Sequence, residues 1–229
     1  MTAHLRLVRS KARPVELCQL AGRWAGVMPD AAGAMVERKH DGFRCLFFRG
    51  LDGQSGMSTR NGMPMLGVSH IVERLIEVEA AMGAPHMIDG ELVVDGTLTA
   101  TKAHYDRGWR LGDAGVFQAF DAVPFDDWQA GRCDTPLLER KAALARAIAA
   151  TAPDASAWEW RAGTRGAGHG TDPVALVSDS WAFSAADVEG EAQRGWAAGH
   201  ERVMVKRADA PYVRGRSDAW LKLKRPGID

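Results

Sequence analysis

The stretch Met35-Val36-Glu37-Arg38-Lys39-His40-Asp41-Gly42-Phe43-Arg44 places one lysine inside an otherwise strand-like segment, two residues ahead of an Asp-Gly pair and five ahead of an arginine. A lysine amine is a nucleophile only in its neutral form, which nearby cations such as Arg38, His40 and Arg44 favour. The Asp-Gly pair that follows predicts a sharp turn, so that the arginine can point back at the ligand that the lysine faces. Lys39 is therefore a candidate catalytic nucleophile, and the alternative that these residues leave open is a solvated hairpin.

Length and composition limit the class of protein. The chain has 229 residues and 46% hydrophobic content, which is enough for one large domain, with or without a small appendage. Its three cysteines, Cys18, Cys45 and Cys133, are widely separated and form no Cys-x-x-Cys pair, which favours reduced thiols over a zinc site or disulfides. Residues 1–14 lack the continuous apolar segment of a secretory signal or membrane anchor. We therefore expect a soluble, cytoplasmic protein.

The charge is balanced overall but concentrated locally. Lys and Arg number 29, as do Asp and Glu, while residues 202–225, here called the basic segment, hold eight Lys or Arg against two Asp. Apolar and basic residues alternate in Trp220-Leu221-Lys222-Leu223-Lys224, which predicts a strand with one buried face and two lysines facing an anion. The alternative is a solvated, charged tail.

Hydrophobic periodicity predicts the remaining elements. Apolar residues at helical spacing predict helices over residues 14–26, 68–82 and 184–198, and a helix that starts at Pro136. Apolar runs predict strands over residues 43–49 and 116–123, and a strand that follows a hairpin turn at 51–53 and ends at 58–62. Residues 158–172 are rich in glycine but lack the strand and helix that frame a phosphate-binding loop, so we expect a surface loop.

The stretch His86-Met87-Ile88-Asp89-Gly90-Glu91-Leu92-Val93-Val94 is an apolar run with Asp, Gly and Glu in its middle. Strands disfavour all three residue types, and a local exception of this kind is often functional. The alternative is two strands that meet at an Asp-Gly turn, with Glu91 exposed. The residues alone leave both interpretations open.

Six motifs in this order resemble the signature of the covalent nucleotidyltransferases, which include ATP-dependent DNA ligases, RNA ligases and mRNA capping enzymes. The resemblance covers residues 35–224, and the Pro-Leu-x-Glu-Arg start of one helix favours DNA ligases within this group. The motifs are Glu37-x-Lys39-x-Asp41-Gly42-x-Arg44, Thr59-Arg60-x-Gly62, Asp89-Gly90-Glu91, Phe120-Asp121 followed by Pro136-Leu137-x-Glu139-Arg140, Glu201-x-x-x-x-Lys206, and Trp220-x-Lys222-x-Lys224.

This resemblance implies an α+β, ATP-grasp-like nucleotidyltransferase fold, in which twisted, mainly antiparallel sheets flanked by helices enclose a nucleotide groove. It implies an ATP-dependent DNA ligase that uses ATP with Mg²⁺ or Mn²⁺ and acts on nicked double-stranded DNA. It also implies that the protein is a monomer and does not associate with a membrane. Lys39 would attack the α-phosphate of ATP and form lysyl-AMP. The AMP would then pass to the 5′-phosphate of a nick, and sealing would release it.

The resemblance also implies roles for the matching side chains. Glu37 and Phe120 are expected to hold adenine, and Arg44 and Glu91 to lie on the ribose side. Glu91 and Glu201 are expected to bind the metal. The cations that are expected to face phosphates are Arg60, Lys206, Lys222 and Lys224, of which the last two take part in catalysis. The residues expected to contact DNA are Arg214 and Arg216.

Two departures from the family pattern concern the last motifs. Arg202 stands where the family has a glycine, which puts the geometry of that segment in question. The alternatives are that the Arg202 side chain points away or that it contacts phosphate itself. Only residues 225–229 follow the last lysine, whereas the family continues into an oligonucleotide-binding barrel. We therefore expect a single adenylation domain over residues 1–229 without that barrel, either as an excised core or as a minimal protein. The alternative functions are an RNA ligase, a capping-type nucleotidyltransferase or a non-catalytic nick-binding module.

Overall fold

A computed structural model describes residues 16–28, 32–50, 53–152 and 172–227 of the chain, without the side chains of residues 108, 109 and 111. The predicted hairpin turn at 51–53 and the predicted surface loop over 158–172 lie almost wholly outside these residues.

The described residues form twelve strands and five helices. The strands are β1 (Gln19–Arg23), β2 (Ala34–Arg38), β3 (Phe43–Arg49), β4 (Ser55–Thr59), β5 (His86–Val93), β6 (Val116–Pro124), β7 (Arg132–Cys133), β8 (Val174–Leu176), β9 (Asp179–Ala182), β10 (Arg202–Arg207), β11 (Tyr212–Val213) and β12 (Gly215–Lys224). The helices are α1 (Ser69–Ala81), α2 (Leu98–Leu111), α3 (Phe125–Ala130), α4 (Leu137–Ala150) and α5 (Ala185–Ala197).

Two five-stranded sheets make up the framework. The first has the order β1-β12-β10-β2-β9 and the second the order β4-β3-β5-β6-β8, while β7 and β11 form a separate pair. Among the described strands, only β1 with β12 and β6 with β8 pair in parallel. The predicted α+β fold with mainly antiparallel sheets is therefore confirmed.

Three apolar clusters hold the layers together. The largest packs α1 and α4 against the second sheet, with Leu75 and Leu144 among its fully buried members. Another fills the space between the two sheets around Tyr212 and Trp220. The third places α5 against the first sheet, through Val188. Each fully buried side chain of this size contributes about 1.5–3 kcal/mol to folding, so the sheets are held at a fixed separation.

Most of the predicted elements are found near their predicted bounds. Helices α1 and α5 match the predictions for residues 68–82 and 184–198, and Ser184 starts α5 with a capping box to Asp187. The helix predicted from Pro136 begins at Leu137. The helix predicted over residues 14–26 is wrong for its described part, because β1 pairs with β12 from Gln19 onwards. This long-range pairing outweighs the helical spacing of the apolar residues.

Two further observations concern the setting of the chain. None of the described helices is both long enough and apolar enough to cross a membrane. All three cysteines are buried as free thiols.

Candidate active site

A cavity of about 570 Å³ opens between the two sheets and is called the inter-sheet cavity below. Its volume lies within the range of about 300–1,000 Å³ that is usual for small-molecule sites. Strands of both sheets contribute to its wall. Nine of the predicted site residues line it: Glu37, Lys39, Arg44, Arg60, Glu91, Phe120, Lys206, Arg216 and Lys222.

Lys39 lies at the edge of the inter-sheet cavity, one residue after β2. Its backbone N–H donates to the carbonyl of Arg202 at 3.2 Å, which continues the pairing of β2 with β10 by one residue. Its Nζ donates to the carbonyl of His40 at 3.1 Å and lies 3.7 Å from a carboxylate oxygen of Asp41. A quarter of the side chain (24%) is exposed, so the amine can be reached from the cavity.

The turn after Lys39 requires glycine for a steric reason. A Cβ atom at Gly42 would lie 2.0 Å from the carbonyl oxygen of Leu92, which is far inside van der Waals contact. The N–H of Gly42 donates to Oε1 of Glu91 at 3.0 Å. The lysine turn is thereby fixed to β5. Burial raises the pKa of the Glu91 carboxyl above its ordinary value, although the charge of Lys39 opposes this shift.

Asp89, Gly90 and Glu91 lie within one continuous strand, so the alternative of two strands meeting at a turn is wrong. The pairing of β5 with β6 shifts register between Asp89 and Gly90, which is a β-bulge. A Cβ atom at Gly90 would lie 2.3 Å from the ring of Phe117, so only glycine fits there. The bulge explains how residue types that strands disfavour occupy the middle of this one.

All three nitrogens of the Arg44 guanidinium group donate hydrogen bonds. Nε and Nη2 donate to the two carboxylate oxygens of Asp89 at 2.9 and 2.5 Å, and Nη1 donates to the carbonyl of Gln19 at 2.6 Å. Tyr212 donates its hydroxyl to the same carboxylate at 2.8 Å. Burial alone would lower the pKa of Arg44, but the charge of Asp89 raises it well above its ordinary value. Arg44 is therefore a fixed, permanently charged part of the cavity wall.

The floor of the inter-sheet cavity is aromatic. The rings of Phe120 and Trp220 meet edge to face, with centroids 5.8 Å apart. The Nζ of Lys206 lies 4.2 Å from each centroid. Such a floor suits a flat, apolar group with a polar edge, because aromatic faces attract both stacked rings and cations.

Glu37 lies behind this floor and is 2% exposed. Lys141 donates to its Oε1 at 2.7 Å, and Lys206 lies 2.6 Å from its Oε2. Burial opposes ionisation of the carboxyl group, but the two lysines together hold its pKa below the ordinary value. The cavity therefore contains a buried, ionised carboxylate next to a cation.

Several cations gather at the mouth of the cavity. Arg60, Arg216 and Lys222 line it together with Lys39. The pKa of Lys222 is lowered, first by burial and then by the charges of Lys39, Arg216 and Arg60. Like charges held this close together destabilise one another unless an anion binds between them. The arrangement therefore favours a multiply charged anion such as a phosphate chain.

Three of the predicted site residues lie outside the inter-sheet cavity. Glu201 is exposed. Arg214 donates to the carbonyl of Gln129 at 3.1 Å and lies over the ring of Trp128. Lys224 pairs with Arg202 through the backbone. None of the three lines the cavity in the described part of the chain.

Arg202, which departs from the family glycine, also lies outside the cavity lining. Its backbone carbonyl is the acceptor for the N–H of Lys39. The backbone at this position therefore supports the nucleophile. The charge of the arginine side chain is also among those that lower the pKa of Lys222, after burial and the charges of Lys39, Arg216 and Arg60.

The sequence prediction missed several residues of the site. Trp220, Met204 and Tyr105 also line the cavity. Trp220 had a signal, since alternation places it on the same face of β12 as Lys222. No signal in the sequence pointed to Lys141, which pairs with both Glu37 and Asp179, or to Asp179 itself. The reason is that nothing in the sequence brings α4 and β9 next to β2.

The described residues contain no group of three or more His, Cys, Asp or Glu side chains that could hold a metal ion. Within the cavity lining, Glu37 and Glu91 supply the carboxylates. Both oxygens of Glu37 already face lysines. Glu91 accepts instead from the N–H of Gly42 and is thus the better candidate of the two for a metal ligand.

Two sheets that enclose a lysine, an aromatic floor and a basic mouth define a nucleotidyltransferase domain. The chain belongs to a family within this class, because the model of the ATP dependent DNA ligase domain matches residues 17–224.

Two curated relatives and one solved structure are similar to this chain. A protein named DNA ligase from Natronomonas pharaonis is 30% identical over 95% of this chain and 36% of its own length. A probable DNA ligase from Kineococcus radiotolerans is 33% identical over 93% of this chain and 38% of its own length. The fold also resembles the ATP-dependent DNA ligase from bacteriophage T7 in complex with ATP, with a TM-score of 0.66 at 16% identity over 91% of this chain and 68% of that one. The chain thus spans between a third and two fifths of the length of the curated relatives.

Proposed function

We propose that this chain is the catalytic core of an ATP-dependent DNA ligase. Lys39 attacks the α-phosphorus of ATP, so that a nitrogen–phosphorus bond forms, the bond to the bridging oxygen breaks and pyrophosphate leaves. The AMP then passes from Lys39 to the 5′-phosphate at a nick in double-stranded DNA. Attack by the 3′-hydroxyl at the nick forms the phosphodiester bond and releases AMP.

The position of Lys39 at the edge of the inter-sheet cavity carries this proposal. Lys39 lines a cavity that also has an aromatic floor suited to a base and basic side chains suited to phosphates. Phosphoryl transfer depends mainly on positioning and on charge stabilisation. Arg60, Lys206 and Lys222 supply that stabilisation along the phosphate chain, and Lys224 continues the same face of β12.

The remaining cavity residues position the nucleotide. Phe120 stacks on adenine, and the carboxylate of Glu37 faces its polar edge. Arg44 and Glu91 lie on the ribose side, where Arg44 is held by Asp89. Because these groups are fixed before the nucleotide binds, little ordering is needed to align the α-phosphorus with Lys39.

The residues present fit Mg²⁺, or Mn²⁺, together with a triphosphate. Mg²⁺ is usually bound by one or two carboxylates plus substrate phosphates, and Glu91 can supply one carboxylate at the cavity. When bound, the ion would neutralise charge on the phosphate oxygens. Glu201, the second carboxylate that the resemblance implies, is exposed one residue before β10 and lies outside the cavity lining.

Nicked double-stranded DNA is the proposed partner because the curated relatives are named DNA ligases. The basic segment supports this assignment, since Arg216 and Lys222 bring two of its cations to the mouth of the cavity. A DNA phosphate at a nick can thus reach the same anion site as the nucleotide.

Mass spectrometry of the intact protein tests the first step. After incubation with ATP and Mg²⁺ we expect one added AMP in the wild type and none in Lys39→Ala. The variant Lys102→Ala is the matched control, because Lys102 is an exposed lysine of α2 that pairs with Asp106. An adduct that persists in Lys39→Ala would refute the nucleophile assignment.

The substrate class is tested with GTP and with nicked RNA. A GMP adduct would indicate a capping-type enzyme, and sealing of nicked RNA in preference to DNA would indicate an RNA ligase. Binding of nicked DNA without any adduct would indicate a non-catalytic nick-binding module.

A further inference from the structure

Four charged side chains from four different elements form a buried row that leads from the wall of the inter-sheet cavity into the protein, here called the charge row. In order they are Asp179, Lys141, Glu37 and Lys206. Lys141 Nζ lies 2.7 Å from Oδ2 of Asp179 and 2.7 Å from Oε1 of Glu37, and Lys206 Nζ lies 2.6 Å from Oε2 of Glu37. None is more than 4% exposed. Negative and positive charges alternate, so the row as a whole is neutral.

Folding stability alone gives little reason to bury such a row. Removing an ion from water is costly, and apolar side chains of similar volume often serve as well or better. A better reason for burying these charges is a binding site that needs an ionised carboxylate at a fixed position. Glu37 and Lys206 line the inter-sheet cavity, whereas Lys141 is fully buried and does not line it.

Lys141 also stays outside the second large groove of the molecule. That groove has a volume of about 930 Å³ and is lined by Asp179 and Glu37 but not by Lys141. The ion pairs of Lys141 within the described residues are those with Glu37 and Asp179. Its influence on a bound nucleotide must therefore pass through Glu37.

The protonation state of Glu37 decides which groups at the edge of a purine base its carboxyl group can bind. Each carboxylate oxygen can accept more than one hydrogen bond, so room for a further donor remains beside each lysine. An ionised carboxylate attracts the 6-amino group of adenine and repels the 6-oxo group of guanine. A protonated or displaced carboxyl group would lose this discrimination.

We propose that Lys141 is a positioning residue for base selection. It keeps Glu37 ionised and holds one of its oxygens in place, and thereby makes the cavity select a 6-aminopurine over a 6-oxopurine. This inference rests on the proposed function, in which Glu37 faces the base.

The double variant Lys141→Met/Asp179→Asn tests the inference, since it removes the outer ion pair without leaving Asp179 as an unpaired buried charge. Affinities for ATP and GTP are measured by calorimetry without Mg²⁺, so that binding is separated from the reaction. We expect the ratio of ATP affinity to GTP affinity to fall at least about tenfold, the size of one lost hydrogen bond to a charged group.

A pH series adds a readout that loss of packing would not change. Lys141 helps to hold the pKa of Glu37 below its ordinary value, so this pKa rises when Lys141 is removed. Protonation of Glu37 then begins at a higher pH. We expect ATP affinity to fall as the pH is lowered in the double variant, over a range in which the wild type stays constant.

The matched control is Arg74→Met/Asp172→Asn, which removes another buried ion pair that lines neither cavity. This control variant should be less stable than the wild type but should keep the same ratio of ATP affinity to GTP affinity. If the Lys141 double variant does not fold, Lys141→Gln, which removes the positive charge but keeps an amide donor, replaces it, and the pH series is then the deciding measurement. A folded variant with an unchanged ratio and pH profile would overturn the inference, as would a wild type that binds both nucleotides equally. A wild type that binds neither nucleotide would instead refute the proposed function.

Discussion

Arg44 and Asp89 form a two-pronged ion pair between β3 and β5, with Nε–Oδ1 at 2.9 Å and Nη2–Oδ2 at 2.5 Å. Asp89 is fully buried, and the side chain of Arg44 is 16% exposed. The pair joins the arginine that follows the lysine turn to the strand that carries Glu91. It therefore fixes two parts of the candidate active site relative to each other.

Replacing Asp89 by asparagine should be strongly destabilising. The arginine would keep its buried charge without a counter-ion, and breaking a buried pair in this way costs about 3–5 kcal/mol. Urea unfolding of Asp89→Asn measures this loss. The double variant Arg44→Met/Asp89→Asn should recover part of it, because no unpaired charge remains. Equal stability of the single and double variants would show that the pair does not act as a unit.

Replacing Gly42 by alanine should slow formation of lysyl-AMP. The added Cβ would overlap the carbonyl of Leu92, so the turn that carries Lys39 must move. A displacement of about 1 Å at a catalytic group can cost about a hundredfold in rate. Single-turnover labelling with ATP measures the rate. Gly56→Ala is the control, because nothing lies within 4 Å of a Cβ there, and a normal rate in Gly42→Ala would contradict the prediction.

Arg214 and Arg216 should contribute differently to DNA binding. Both arginines donate to a backbone carbonyl, Arg216 to that of Ala21 and Arg214 to that of Gln129. Only Arg216 of the two lines the cavity, whereas Arg214 packs on Trp128. Each phosphate contact contributes about 0.9 to the slope of log affinity against log salt concentration. Binding of nicked duplex at several salt concentrations should show a reduced slope in Arg216→Ala and a smaller change in Arg214→Ala. Equal changes would place both residues on the DNA surface.

Arg74 should be essential for stability although it lies outside the candidate site. Its guanidinium donates to both oxygens of Asp172, to the hydroxyl of Thr151 and to the carbonyl of Ile148. Arg74→Met leaves Asp172 buried without its partner, which should cost about 3–5 kcal/mol. Chemical denaturation measures the loss. The exposed pair of Arg194 with Glu191 provides the comparison, since Arg194→Met should leave stability unchanged.

Local features of the structure followed from short stretches of sequence. The Asp-Gly turn after Lys39, the capping box at Ser184 and the alternation in β12 depend on residues within a few positions of one another. Interactions over such short separations are the same wherever the stretch lies in the fold. The resemblance of the motifs to the family indicated which residues gather at the inter-sheet cavity, and the cavity lining contains most of them.

Other features depended on partners that are distant in the chain. Residues 17–24 carry apolar residues at helical spacing, yet Gln19–Arg23 form a strand because Gln19 pairs with Gly215 at the edge of the first sheet. Helix α2 was not predicted at all.

The charge row shows this dependence most clearly. Lys141 reaches Glu37 across 104 positions of sequence, and Asp179 approaches it from yet another element. A buried ion is stable only where folding delivers a counter-ion, and no local pattern specifies that meeting. The motifs therefore identified the carboxylate of Glu37, whereas the packing of α4 and β9 against β2 decided its charge state and its orientation.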